Sequence, residues 1–224
     1  TVATDTDLWR LRFTTSHPKD FHRDLMETMQ KHRNKICDYI HLPVQSGNSE
    51  ILHRMNRGYT REEYLDKVAM IKEVMPGVVL STDIIVGFPG ETEEQYQDTL
   101  SLVEEVGYDS IFAFSYSPRP LTKAAKYTEQ VDPEVSARRL NDLLLGHRVR
   151  SIEDSKKHVG QTYEVLIEKF DDRAPDMLMA RSTQNKIVHF AKPEGFPDRK
   201  WIGELAQVRV ISAMPHNFKG EWLS

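Results

Sequence analysis

Asp83 interrupts the apolar run that opens the stretch STDIIVGFPGETEEQ, residues 81–95. A carboxylate inside a core strand costs several kcal/mol, on the order of 3–5, unless it is paired or hydrated. Asp83 therefore meets either a structural cation such as Arg12 or the amine of a bound ligand. Other groups able to do chemistry fall at the ends of apolar runs: Ser16 and His17 in TTSHP, Gln45 and Ser46 in PVQSG, Glu91 in GFPGE. Several common chemistries are unsupported. The Gly87-Phe-Pro-Gly90 turn has no Lys-Ser/Thr pair, and Glu91 would repel a phosphate. The nine histidines form no pair at metal-ligand spacing. No Gly-x-Ser-x-Gly marks a serine nucleophile. Cys37 is the one cysteine, too few for an intrachain disulfide or a thiolate cluster.

The elements that carry these residues alternate up to about residue 131. Leu8–Thr14, Tyr39–Val44, Val78–Phe88 and Ser110–Tyr116 read as strands. Amphipathic stretches at 19–31, 49–55, 60–74 and 92–106 read as helices. Repeated strand–helix units predict an α/β fold with a parallel sheet. Thr92 with Gln95 forms a capping-box pattern, and Glu93 and Glu94 suit the positive end of a helix. Side chains alternate faces along a strand. One face carries Arg10, Arg12, Thr14 and Ser16, then Tyr39, His41 and Gln45, then Ser81 and Asp83; the other is apolar. Sheets covered on both sides read apolar throughout, and closed eight-stranded barrels fill their lumen with branched apolar residues. A polar face predicts instead an open half-barrel, with helices outside and a small polar ligand held within. Its loops at the C-terminal strand edge form the binding mouth.

Residues 133–157 predict a long charged helix. After Gly160 the period changes to two, in TYEVLIEKF, MLMARS, KIVHFA, WIGELAQVRVISA and KGEWL. Five short strands predict a small antiparallel barrel. The expected organisation is thus 1–131, a linking helix over 132–158, and a barrel over 159–224.

The net charge is −4, and nothing in the composition advertises nucleic-acid binding. The imbalance lies in residues 1–156, with 20 Lys/Arg against 25 Asp/Glu; residues 157–224 carry 10 against 9. The short polar N-terminus and the lack of a long apolar run fit a cytoplasmic protein with no membrane partner.

RFTTSHPKDF, HLPVQSGNSEILHRMNRGYTREEYL, STDIIVGFPGETEEQYQDTL and YSPRP together resemble the methylthiotransferases of the radical S-adenosylmethionine superfamily. ARSTQNKIVHF and FKGEW extend the resemblance to the end, where residues from about 159 look like a TRAM domain, an RNA-binding, OB-like barrel. Within the family the match is to the tRNA-modifying branch. The resemblance implies S-adenosylmethionine as methyl donor and radical source, two 4Fe-4S clusters in the full-length enzyme, and the anticodon stem-loop of tRNA as partner. The product implied is a methylthio group on an isopentenyladenosine beside the anticodon. It also implies that Ser16, Gln45, Ser46 and Asp83 face the ribose and methionine ends of the cofactor. Backbone at Val86, Gly87 and Phe88 and at Tyr116 and Ser117 would flank its adenine.

The family's cluster-binding Cys-x-x-x-Cys-x-x-Cys loop is absent from this chain, so the resemblance is to the second half of the core plus TRAM, starting at the third of six barrel strands. A sheet starting there exposes an edge able to pair with a second copy. SPRPLTKAA departs from the family's usual Gly-Thr-Pro segment at Leu121 and Lys123. In the tail, Lys169, Arg181, Lys186, Lys192, Lys200 and Lys219 are the candidate RNA contacts. Tyr163, Phe190 and Trp201 are interleaved with them, some necessarily as core. The alternative functions are an RNA-binding module without chemistry and a purely structural or assembly role.

Overall fold

The computed structural model describes residues 2–13, 17–120, 122–172, 174–195 and 200–223. Thr14, Thr15, Ser16 and Leu121 lie outside them. Two compact units form, one of Arg12–Arg33 and Ile40–His147, the other of Thr1–Leu11, Asn34–Tyr39 and Arg148–Ser224. The helices are α1 (Val2–Asp5), α2 (Arg23–Lys31), α3 (Ser49–Arg54), α4 (Arg61–Val74), α5 (Glu93–Val106) and α6 (Pro133–Lys156). The first sheet contains β1 (Tyr39–His41), β2 (Val79–Val86) and β3 (Ser110–Ser115) in the order β1-β2-β3. β2 and β3 are parallel, with Asp83 opposite Phe112 and Val86 opposite Ser115. Past the end of β1 the pairing continues at one parallel bridge, Gln45 to Ile84.

Helix starts follow their local signals. Thr92 accepts from the Gln95 N–H while the Gln95 side chain accepts from the Thr92 N–H, which is the capping box expected there. Thr60 and Glu63 do the same for α4. One face of the sheet is packed: Ile40, Leu42, Val44, Ile84 and Val86 are fully buried, as are Leu102 of α5 and Ile71 of α4. The opposite face carries His41, Ser81, Asp83 and Ile85, and on β3 Phe112 and Phe114, which are 48% and 58% exposed. That face is therefore mixed rather than polar throughout.

The strand expected over Leu8–Thr14 reduces, among the described residues, to a single bridge. Leu11 donates to the Lys35 carbonyl at 2.8 Å and accepts from the Cys37 N–H at 3.1 Å. β-propensity makes a segment extended, but a ladder forms only where a neighbouring strand lies in register. Leu8 and Trp9 are left exposed.

The five tail strands are β4 (Thr162–Asp171), β5 (Ala174–Ser182), β6 (Ile187–Ala191), β7 (Leu205–Ala213) and β8 (Asn217–Trp222). They close a barrel in the order β4-β5-β6-β8-β7. Every described pairing is antiparallel except β6 with β8, which is parallel and closes the sheet. Closure removes free edges, and alternate residues fill the interior: Val165, Ile167, Leu178, Val188, Phe190, Val208 and Phe218. Within the same unit, Arg10 pairs with Glu164, and Thr183 donates to Asp38 at 2.9 Å.

Candidate functional site

β2 ends in a turn whose conformation is held from three sides. Gly87 has φ of 70°, and a Cβ there would lie 2.1 Å from Ser136 Oγ of α6, so only glycine fits. Its N–H donates to Glu91 Oε2 at 2.7 Å. Arg139 Nη1 donates to the same oxygen at 2.9 Å and to the Glu91 carbonyl at 3.1 Å, while its Nε and Nη2 reach Glu93 Oε2 at 3.3 and 3.2 Å. The Glu91 side chain is fully buried, and burial pushes its carboxyl above the usual range against the pull of the Gly87 amide and Arg139. Glu91 is therefore the clasp of the turn and not a group at the mouth, as its type suggested.

The clasped turn presents Phe88 edge-on to Tyr116, with ring centroids 5.2 Å apart. β3 stays beside it because the Tyr116 N–H donates to the Val86 carbonyl at 2.8 Å. Val86, Gly87, Phe88, Tyr116 and Ser117 are thus brought together at the C-terminal strand edge. Phe88, Tyr116 and Ser117 border a cavity of about 860 Å³. The Tyr116 hydroxyl is buried there without a hydrogen-bond partner among the described residues.

On the neighbouring strand ends, the Gln45 N–H donates to the Asp83 carbonyl and its carbonyl accepts from Ile85 N–H, both at 2.9 Å. Gln45 has φ of 76°, one of three non-glycine residues in the left-handed region among those described. Asp83 meets His41 and not a guanidinium: Nε2 stands 3.4 Å from Oδ1, and His41 Nδ1 shares a hydrogen bond with Ser81 Oγ at 2.9 Å. The Asp83 side chain is 34% exposed, so one partner and solvent suffice for its charge. Ser46 is turned the other way. It is fully buried, accepts from the Asn48 N–H at 3.2 Å and lies 3.5 Å from Thr99 Oγ1 of α5. It shapes the turn from behind. Ser16 is outside the described residues.

The candidate RNA contacts also divide. Lys186 is a structural group: it is buried, donates to the Pro215 carbonyl at 2.7 Å and lies over the Phe218 ring. Alternation placed it near the outward residues, but it follows the positive-φ Asn185 at the β5–β6 turn, where strand parity is broken. Phe190 and Trp201 are core, and Tyr163 packs against that core with its hydroxyl 2.5 Å from His158 Nδ1. None of the three offers an open ring for stacking. Arg181 is engaged by Glu168 at 2.8 Å, and Lys169 pairs with Asp172. Lys200 and Lys219 are exposed and Lys192 is half-buried. Arg139 is the piece that sequence reading misses, since nothing local to it signals its partner Glu91.

Residues 4–103 match the radical SAM superfamily model and residues 156–223 the TRAM domain model. The fold is also similar to coproporphyrinogen III oxidase from Escherichia coli, a radical SAM enzyme. The TM-score is 0.51 at 15% identity, over 74% of this chain and 45% of that one. The chain is thus similar to radical SAM proteins over residues 4–103 and to TRAM domains over residues 156–223. Several similar curated relatives bear the name tRNA-2-methylthio-N(6)-dimethylallyladenosine synthase. The identity is 52% with that of Bdellovibrio bacteriovorus, over 99% of this chain and 48% of the relative. It is 48% with that of Clostridium botulinum, over 96% and 46%, and 47% with that of Anoxybacillus flavithermus, over 96% and 40%. The chain spans about half the length of the curated relatives it matches.

Proposed function

We propose that this chain is the cofactor- and substrate-positioning part of a radical SAM tRNA methylthiotransferase that acts on isopentenyladenosine beside the anticodon. The identity to synthases of that name over nearly the whole chain carries the reading. The sheet is read as the second half of a βα half-barrel, with residues 1–131, 132–158 and 159–224 as its working parts. No helix among the described residues is long and apolar enough to cross a membrane.

The chain's residues do not fit an iron–sulfur cluster. Its single thiol, Cys37, is buried, and among the described residues no group of three or more Cys, His, Asp or Glu could hold a metal ion. The orphaned Tyr116 hydroxyl beside an open cavity supports a fit to S-adenosylmethionine. When bound, that cofactor would supply the methyl group and, given an electron from a reductant outside this chain, the radical that removes the adenosine hydrogen. Tyr116, Ser117 and the backbone of Val86, Gly87 and Phe88 hold its adenine. Asp83, oriented by His41, faces the methionine amine, with Gln45 beside it. Ser46 acts only through the turn it braces.

Asp83→Asn keeps shape and removes charge. It is expected to weaken S-adenosylmethionine binding about tenfold in calorimetry, with little change in melting temperature because Asp83 is partly exposed. A large loss of stability with unchanged affinity would reject the ligand role. For the activity itself, residues 1–224 substituted for the matching segment of the Bdellovibrio bacteriovorus synthase should yield methylthiolated tRNA by nucleoside mass spectrometry. A folded, iron-loaded chimera that makes no product overturns the assignment.

On the barrel, Lys192, Lys200 and Lys219 are the proposed RNA contacts that remain available, with Arg181 and Lys169 able to exchange carboxylate partners for phosphate. Changing Lys192, Lys200 and Lys219 together to glutamate should lower affinity for an anticodon stem-loop about tenfold or more at low salt, without lowering the melting temperature. Unchanged binding would make the barrel a structural cap.

A further inference from the structure

The cavity beside Phe88 and Tyr116 is larger and more cationic than an adenine pocket requires. Its volume, about 860 Å³, lies near the top of the roughly 300–1,000 Å³ range of small-molecule sites. The far wall is built by the α3–α4 turn and by the segment after β3, which supply Arg54, Arg57, Arg119 and Lys123. No lining residue is acidic. Among the described residues no carboxylate pairs with Arg57, Arg119 or Lys123, and Arg57 Nε is buried without a hydrogen-bond partner. Leaving a guanidinium N–H buried and unsatisfied is costly unless something else completes it.

Arg57 is held by the chain itself. Asn56, at φ of 60°, reverses the backbone so that the Arg57 N–H donates to the Leu52 carbonyl at 3.0 Å. Arg54 lies over the Tyr127 ring, 5.1 Å from its centroid, with Glu129 at 3.4 Å on its other side. Phe114, 58% exposed, and Tyr127 add aromatic surface to the same cavity. Cations without counter-ions beside open rings are the chemistry that grips a nucleic-acid strand, neutralising phosphates and stacking bases.

We propose that Arg57, Arg119 and Lys123 form a phosphodiester-binding subsite for the RNA strand next to the cofactor, separate in sequence from the TRAM barrel. The proposal takes its substrate class from the tRNA reading above. The subsite grips backbone phosphates flanking the target base, while the exposed Phe114 receives a base. The departure from family pattern at Lys123 then adds a phosphate contact.

The test is binding of an anticodon stem-loop RNA to the 224-residue chain by fluorescence anisotropy across a salt series, with S-adenosylmethionine affinity measured in parallel. The triple variant Arg57→Gln, Arg119→Gln, Lys123→Gln should lose about tenfold or more in RNA affinity. Its salt slope should flatten by about 0.7 per phosphate contact removed. Its S-adenosylmethionine affinity should hold. Should Arg57→Gln disturb the fold, the double variant of exposed Arg119 and Lys123 should still flatten the slope. Unchanged RNA affinity and slope in both variants overturns the subsite. So does a fall in S-adenosylmethionine affinity with RNA binding intact, which would give the cavity to the cofactor alone. A parent chain that binds no RNA even at low salt would instead sink the tRNA reading on which the proposal rests.

Discussion

Arg139→Leu is expected to destabilise the chain by roughly 3–5 kcal/mol, the usual result of removing one member of a buried ion pair. Glu91 is fully buried and the Arg139 side chain is 4% exposed, so water cannot replace the lost partner. Glu91 Oε1 already lacks a hydrogen-bond partner among the described residues, leaving Oε2 as the better-satisfied oxygen. For a chain of this size the loss amounts to a fall of roughly 6–20 °C in melting temperature, at about 2–4 °C per kcal/mol. The pH dependence has a definite sign. The folded-state pKa of Glu91 already lies above its ordinary value of 4.5, because burial disfavours the charge. Losing Arg139 removes an attraction that lowers it, so it rises further. A carboxyl raised on folding contributes stability that is present below the unfolded value and lost as pH rises through the folded one. The deficit of Arg139→Leu should therefore shrink on acidification toward the ordinary glutamate value and widen toward neutrality. Denaturant unfolding of parent and variant across that window measures it; a pH-independent deficit would mean that losing Arg139 leaves the protonation of folded Glu91 unchanged. The double variant Glu91→Leu, Arg139→Leu should recover much of the stability, because no buried charge remains.

Gly47→Ala carries the second large effect, and it acts on the site as well as on the fold. A Cβ at Gly47 would sit 2.4 Å from the Asp98 carbonyl oxygen and 2.5 Å from Thr99 Cα, both backbone atoms of α5 that cannot swing aside. The turn is also fastened there. The Gly47 N–H donates to Thr99 Oγ1 at 2.9 Å, Arg61 Nη1 donates to the Gly47 carbonyl at 3.0 Å, and Asn48 Nδ2 donates to Asp98 Oδ2 at 2.7 Å. Added volume in a packed site costs about 1–3 kcal/mol and sometimes more. Here the upper end is expected, since relief requires the whole turn to move. That movement displaces Gln45, whose left-handed backbone depends on the turn, so S-adenosylmethionine affinity should fall in step. Gly146→Ala on α6 is the matched control. Nothing lies within 4 Å of its Cβ position, and alanine in place of a helical glycine gains about 1 kcal/mol. If Gly47→Ala melts like the parent and binds the cofactor normally, the turn is not the rigid support described.

Whatever depended on adjacent residues was legible in the chain. The capping box of Thr92 and Gln95 closes over three residues, and the period-two pattern after Gly160 is a repeated local alternation, so both survive translation into structure. The exposed-face position of Asp83 followed from strand parity alone. Tertiary structure decided which charges are spoken for. Glu91 and Arg139 are 48 positions apart, and nothing near either names the other. Asp83 found His41 across a strand pair rather than Arg12. Phe190 and Trp201 carry types common on RNA-binding surfaces but lie in the barrel core, and Lys186 is buried at the β5–β6 turn. The stretch Leu8–Thr14 has strand composition yet forms, as described, one bridge, because a strand is completed by the neighbour it pairs with. Local periods and caps are written in residues a few positions apart. Burial and ion pairing depend on where distant segments meet, and that is known only once the chain has packed.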